Sequence, residues 1–355
     1  MLDGLLSRSA LEDTEEAFPG LPKRGVVYEL FQQLRRQRWD HAEQFLDFAD
    51  LAVDPRSPNH KILKRLLSSC KYDGADTVTP ERFRDLATLS IAAEVSTYTA
   101  RVDLRAEAWA PYVRWAAGRR GNDSVLTFNY DTVIERLGQS KNPKVTNLGD
   151  GTVFRPFGDN AFGEDKCIIH KLHGSADWAW AEQPARHQQF KVFPTVGSFT
   201  LDDAYRPLIA MPGATKKRLC SEHLDGIWGA AMRRLREAEV IVFLGYRFPP
   251  SDSFSRTALL GAIQQNQSQY LRIHTVLGPN VAHETSARLG ALLRATLEGA
   301  GRAHYGVVTH RPSAAQGSRL YDVLQQPLYV EDFLSVLNLD MLFGKRSEAG
   351  PTAWG

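Results

Sequence analysis

Residues 167–178 read CIIHKLHGSADW, with Cys167, His170 and His173 three apart and Gly174 directly after the second histidine. Thiolate and imidazole at that spacing suit a zinc ion, whereas a single imidazole at the end of an element suits proton transfer near neutral pH. The two chemistries need different backbones. On a helix the three side chains would roughly align; on a strand Cys167 and His173 share a face and His170 takes the other. The run CIIHKL is apolar and β-branched, which predicts a strand, and no second cysteine pair completes a tetrahedral site. Zinc is therefore not expected. His170 is expected to be a core histidine with a satisfied hydrogen bond. His173 falls where the strand is expected to stop, before a glycine, so a catalytic and a structural role both stay open.

Three other apolar runs end in the same manner. SVLTF (124–128) stops at NYD, AEVIVFL (238–244) stops at GYRFPPSD, and LRIHTVL (271–277) stops at GPN; YGVVTH (305–310) is a fifth candidate strand. Helical patterns such as DTVIERLG, HLDGIWGAAMRRLREA and SFSRTALLGAIQQ lie between them, which predicts βαβ units and a parallel sheet. In such sheets ligands bind beyond the carboxyl ends of the strands. The residues to inspect are Asn129 and Asp131; His173, Gly174 and Ser175; Gly245 and Tyr246; and Pro279 and Asn280. Glycines and short polar side chains at four strand ends point to a polar, nucleotide-like ligand. Asp131 has a competing explanation as the N-cap of TVIERLG, and both remain open. Capping does not account for Asn129, for which a ligand role is expected.

The elements that must hold these residues occupy the rest of 355 residues, enough for one large domain or two smaller ones. Residues 1–25 are polar and end in the turn-rich FPGLPKRG. From 26 to 120 the periodicity is helical, through VVYELFQQLRR, DHAEQFLDFADLAV, HKILKRLLSSC, PERFRDLATLSIAAEVSTYTARV and AEAWAPYVRWAAGRR, with Pro80 suited to a first turn. Residues 121–340 form the α/β core, with 26–120 as its helical insertion, and 341–355 a loose tail. The 43 basic and 41 acidic residues leave a net charge of +2, too small for bulk attraction to nucleic acid or membrane. The basic stretches LRRQRW (34–39) and KKR (216–218) read as solvated helix faces, so nucleic-acid binding by this chain alone is not expected. Three dispersed cysteines, Cys70, Cys167 and Cys220, form no disulfide framework and favour a reducing, cytoplasmic setting. The N-terminus lacks the apolar core of a secretory signal, and runs such as VIVFLGY are too short to cross a bilayer.

The segments TFNYD, KLHGS and IVFLGYRFPPSD, in this order, resemble the sirtuin-like NAD-binding domains of bacterial antiphage defence. PLIAMPGATKK (207–217) and PLYVEDFLSVL (327–337) resemble the same family, and the likeness covers most of residues 125–340. It implies a Rossmann-like parallel sheet with helices on both faces, and an NAD+ glycohydrolase that cleaves NAD+ to nicotinamide and ADP-ribose. It also implies a homo-oligomer, or a partner ATPase or sensor protein. Under the resemblance, Asn129 works near the nicotinamide ribose and the attacking water, and His173 faces the ribose hydroxyls as general base. Asp131, Gly174 and Ser175 lie beside the cofactor, Gly245 and Tyr246 pack against it, and Pro279 and Asn280 lie near the adenosine end by position only. A catalytically silent nucleotide-binding or scaffolding subunit and an ADP-ribosyltransferase are the alternatives. Two departures stand out. The zinc-binding cysteines of deacylating sirtuins are absent, which argues against acyl-lysine removal. The family's first strand and its Gly-Ala-Gly-x-Ser-like phosphate loop have no counterpart in residues 1–25, and weak or no NAD+ binding is expected in consequence.

Overall fold

Thr79 and Pro80 start a 22-residue helix, Pro80–Arg101: the threonine hydroxyl accepts the Arg82 amide at 3.2 Å, and the proline takes the first turn, where no amide is required. Ser90, Thr97 and Thr99 are buried on this helix and donate their hydroxyls back to the carbonyls of Leu86, Ala93 and Val95 at 2.8, 2.9 and 2.7 Å. This back-bonding gives each polar side chain a partner within its own helix inside the core.

The computed structural model describes residues 27, 30, 42–70, 77–119, 121–138, 153–154, 167–181, 190–193, 205–211, 216–249, 252–305, 319–338 and 341–342. The segment 1–25, the basic stretch 34–39, residues 306–310 of the expected strand 305–310 and residues 343–355 of the expected tail 341–355 lie outside these residues. The helices are α1 (Ala42–Leu51), α2 (Pro58–Ser69), α3 (Pro80–Arg101), α4 (Ala110–Ala117), α5 (Val133–Gly138), α6 (Lys216–His223), α7 (Asp225–Glu237), α8 (Ser253–Gln264), α9 (His283–Gly299) and α10 (Val330–Val336). The strands are β1 (Ser124–Thr127), β2 (Val153–Phe154), β3 (Ile168–Lys171), β4 (Gly174–Ala181), β5 (Phe190–Val192), β6 (Tyr205–Ile209), β7 (Val240–Leu244), β8 (Tyr270–Val276), β9 (Ala303–His304) and β10 (Leu320–Gln326). The chain is α/β and divides into two compact units, Met1–Asp103 with Arg119–Trp228, and Leu104–Gly118 with Gly229–Gly355.

In the first unit β1, β3 and β2 form a parallel sheet in the order β1-β3-β2, with Thr127 opposite Lys171 at the carboxyl end of the first pair. A second sheet, β5-β4-β6, is antiparallel. Its alanines Ala176, Ala179 and Ala181 share one buried cluster with Phe45, Phe83, Leu86 and Ile91: α3 packs on β4 and β6, and α1 packs on α3 through Phe45 and Phe83. β3 stops before HGSADW, as expected, but GSADW opens a further strand, in the second sheet, that the sequence pattern does not predict. Only Leu172 and His173 separate β3 from the eight-residue β4. Gly174, at φ +80°, allows the abrupt change of backbone conformation, and Ser175 and Asp177, residue types common in turns, sit within the strand with their side chains bonded to each other.

The second unit carries a four-stranded parallel sheet in the order β7-β8-β10-β9. The parallel strands expected from the sequence therefore occur in two sheets, and no described pairing joins β1 or β3 to β7 or β8. β10 was not anticipated, because Asp322, Gln325 and Gln326 interrupt its apolar pattern. Tyr112 and Trp115 of α4 pack against the cluster of Val276, Phe333 and Leu334, which places Leu104–Gly118 with this unit.

His274, wholly buried on β8, has Nδ1 3.2 Å from the Gln326 amide and its ring 6.2 Å from that of Phe333. Burial pushes its pKa below the ordinary 6.5; Arg272 acts in the same direction, while the Leu342 backbone and Asp322 oppose it. The unfolded chain thus takes up a proton that the folded one refuses. Stability is fully present above the unfolded imidazole value and is lost as pH falls below it. The urea midpoint is expected to be lower at about pH 5.5 than at about pH 7.5, and His274→Gln is expected to narrow the gap. A gap of equal size in the variant would exclude His274 as its source.

Candidate active site

β1 and β3 end side by side, and each delivers one expected functional segment. From β1 the chain enters a loop over 128–132. Thr127 Oγ1 accepts the Asn129 amide at 3.1 Å, and Asp131 Oδ1 accepts the Val133 amide at 3.0 Å at the start of α5. Asp131 therefore does the capping work that its sequence position allowed. From β3 the Leu172 amide donates to the Thr127 carbonyl at 2.9 Å, holding the His173 turn level with the end of β1.

The two segments are tied directly. The Tyr130 carbonyl accepts the Ala176 amide at 2.9 Å and the Ser175 hydroxyl at 3.4 Å. The Tyr130 hydroxyl donates to the Ala210 carbonyl at 3.1 Å, and the Ala210 amide returns to the His173 carbonyl at 2.8 Å. The His173 ring lies 4.6 Å from the ring of Phe128 and 6.4 Å from those of Tyr130 and Trp228. Trp228 is itself fixed by an Nε1 donation to the Leu172 carbonyl at 2.8 Å. His173 is only 5% exposed, whereas Asn129 is exposed.

Five of the expected residues, Asn129, Asp131, His173, Gly174 and Ser175, thus come together in the first unit. Gly174 and Ser175, like Asp131, have structural duties as well. A Cβ on Gly174 would lie 1.9 Å from the Leu208 carbonyl oxygen, so β6 approaches as closely as it does only because this residue is glycine. Ser175 is wholly buried, and its hydroxyl donates to Asp177. The other four, Gly245, Tyr246, Pro279 and Asn280, lie in the second unit, after the carboxyl ends of the paired strands β7 and β8. Gly245 and Gly278 have φ of +71° and +89°, and the Gly245 amide donates to the Val276 carbonyl at 2.8 Å. Tyr246 packs edge-on to Phe248 with ring centroids 4.8 Å apart, and burial, then Asp252, push its phenol above the ordinary value. Asn280 donates its amide to the Tyr329 hydroxyl at 2.8 Å.

No protein-family model matches this chain, and no curated protein matches it. The site must be read from its own geometry.

That geometry includes two residues with no place among the sequence expectations. Lys171, the last residue of β3, is wholly buried; its ammonium donates to Glu135 Oε1 at 2.8 Å and to the Asp131 carbonyl. Burial pushes the Glu135 carboxyl up in pKa, with Lys171 opposing. The available signals were a lysine closing an apolar strand and a glutamate four residues after Asp131. Among the described residues no group of three or more His, Cys, Asp or Glu side chains is placed to hold a metal ion. No helix among them is long and apolar enough to cross a membrane.

A cleft of about 110 Å³ also lies in the first unit, with Arg84, Arg206, Lys216 and His223 on its walls. Asp50, Asp85 and Glu222 on the same walls balance the three permanent cations, so its charge selects no ligand class. None of the expected site residues lines it.

Proposed function

We propose that this chain cleaves NAD+ between nicotinamide and ribose, releasing nicotinamide and ADP-ribose, as an effector of antiphage defence. The observation that carries this reading is the meeting of the Asn129 loop and the His173 turn, tied by the Ala176-to-Tyr130 hydrogen bond and by the 4.6 Å ring contact between Phe128 and His173. Scission of the C1′–N bond sends its electron pair to nicotinamide, which leaves neutral and needs no acid. Water then adds to C1′ of the oxocarbenium-like sugar and gives up a proton. An amide that holds the water or the ribose, and an imidazole that accepts that proton, meet these needs. In this reading Asn129 holds and His173 accepts. Asp131, Gly174 and Ser175 frame this end of the site in the first unit, and Gly245, Tyr246, Pro279 and Asn280, in the second unit, are nucleotide-binding candidates by their place after β7 and β8. NAD+ is the substrate and zinc is not used. A cytoplasmic homo-oligomer, or a complex with an ATPase or sensor, fits the same reading.

The burial of His173 favours a second reading, a catalytically silent nucleotide-binding or scaffolding subunit. Incubating the purified chain with NAD+ and quantifying nicotinamide and ADP-ribose by chromatography separates the two. Equal release of both products supports cleavage. Calorimetric binding of NAD+ without release supports the silent subunit, and neither release nor binding excludes both.

A further inference from the structure

The Asn129–Asp131 loop is held at four points. Thr127 Oγ1 takes the Asn129 amide, Ala176 and Ser175 take the Tyr130 carbonyl, Ala210 takes the Tyr130 hydroxyl, and Lys171 takes the Asp131 carbonyl. Only the last of these uses a permanent charge, and that charge is wholly buried. Its counterion, Glu135, is itself 8% exposed and sits on α5, the helix that Asp131 caps. Asp177, bonded to Ser175, is the other acid whose field reaches Glu135.

Burying an ammonium and a carboxylate is costly, and well-packed apolar side chains of similar volume commonly replace such a pair without loss of stability. What an apolar replacement cannot do is donate to the Asp131 carbonyl. Lys171 reaches it from the end of β3, level with Thr127 at the end of β1, while Glu135 secures the ammonium from the start of α5. The pair thereby locks strand, loop and helix at one point, two residues from Asn129.

We propose that Lys171 and Glu135 are positioning residues: a buried ion pair that fixes the Asn129–Asp131 loop and so sets the Asn129 amide against the His173 turn. The role given to Asn129 rests on the NAD+-cleaving reading; the fixing of the loop does not.

The test is the full chain carrying Lys171→Met with Glu135→Leu, which removes both charges together. Amide hydrogen exchange is read at Val133 and Ala176, whose partners are Asp131 Oδ1 and the Tyr130 carbonyl, with Leu172 as reference in the same sheet. Exchange at Val133 and Ala176 is expected to speed up by about tenfold or more while Leu172 changes little. Nicotinamide release is expected to lose about 10- to 100-fold in kcat with KM nearly unchanged, the signature of a displaced catalytic group. If the double variant does not fold, Glu135→Gln, which keeps the shape, is expected to move the same amides in the same direction. Loosened loop amides in a chain whose wild type releases no nicotinamide would uphold the positioning and sink the NAD+ reading. Loop amides unchanged in the folded variants would overturn the proposal, and so would a loosened loop with full kcat.

Discussion

Replacing His173 with alanine is expected to lower nicotinamide release by about 10²- to 10⁴-fold, the range lost when a positioned general base is removed. The ring is the only imidazole at the junction of the Asn129 loop and the β3–β4 turn among the described residues, and its backbone is pinned by Ala210. Because it is 5% exposed and surrounded by Phe128, Tyr130 and Trp228, alanine also leaves a cavity. A loss of rate from His173→Ala alone would therefore mix chemistry with packing. His173→Asn, nearer in volume and still polar, separates the two: it is expected to stay folded, as judged by its urea midpoint, and to stay inactive. Full activity in either variant rejects His173 as the base, and leaves the burial of its ring as a packing role.

The parts of this arrangement that were legible in the sequence are those set by local pattern. Apolar β-branched runs marked β1, β3, β7 and β8, and Pro80 marked the start of α3. The coincidence of polar residues after β1 and after β3 was likewise readable, and the structure brings Asn129, Asp131 and His173 into one neighbourhood. What stayed hidden depends on partners far along the chain. β4 begins with Gly174 and contains Ser175 and Asp177, which read as a turn until the bond between the two side chains and the close approach of Leu208 are known. The burial of His173 depends on Trp228, and that of Lys171 on Glu135. A lysine is so seldom buried without a partner that, with the partner unseen, exposure is the default expectation. Leu104–Gly118 shows the same limit: its helical periodicity is plain, yet only the contacts of Tyr112 and Trp115 with Phe333 and its neighbours assign it to the second unit.

Gly174→Ala is expected to cost the first unit about 2–5 kcal/mol, from two separable sources. The left-handed backbone at φ +80° disfavours any residue with a Cβ by about 1–2 kcal/mol. The larger source is contact: the new methyl would lie 1.9 Å from the Leu208 carbonyl oxygen and 2.9 Å from its carbon, both backbone atoms that no rotamer change can move. Relief requires β6 to retreat from β4, where Gly174 pairs with Ile209, and the retreat strains the Ala210 amide bond to the His173 carbonyl. Gly245→Ala isolates the first source, because Gly245 has φ +71° but a methyl added there would meet nothing within 4 Å. Its expected cost is the backbone contribution alone, about 1–2 kcal/mol. Urea unfolding, followed by amide exchange in β4 for the one variant and β7 for the other, gives the two losses separately. Equal losses would mean that β6 yields without penalty, and Gly174 would then be free for close approach to a ligand. A larger loss at Gly174, with nicotinamide release falling alongside it, ties this glycine to the architecture that holds His173.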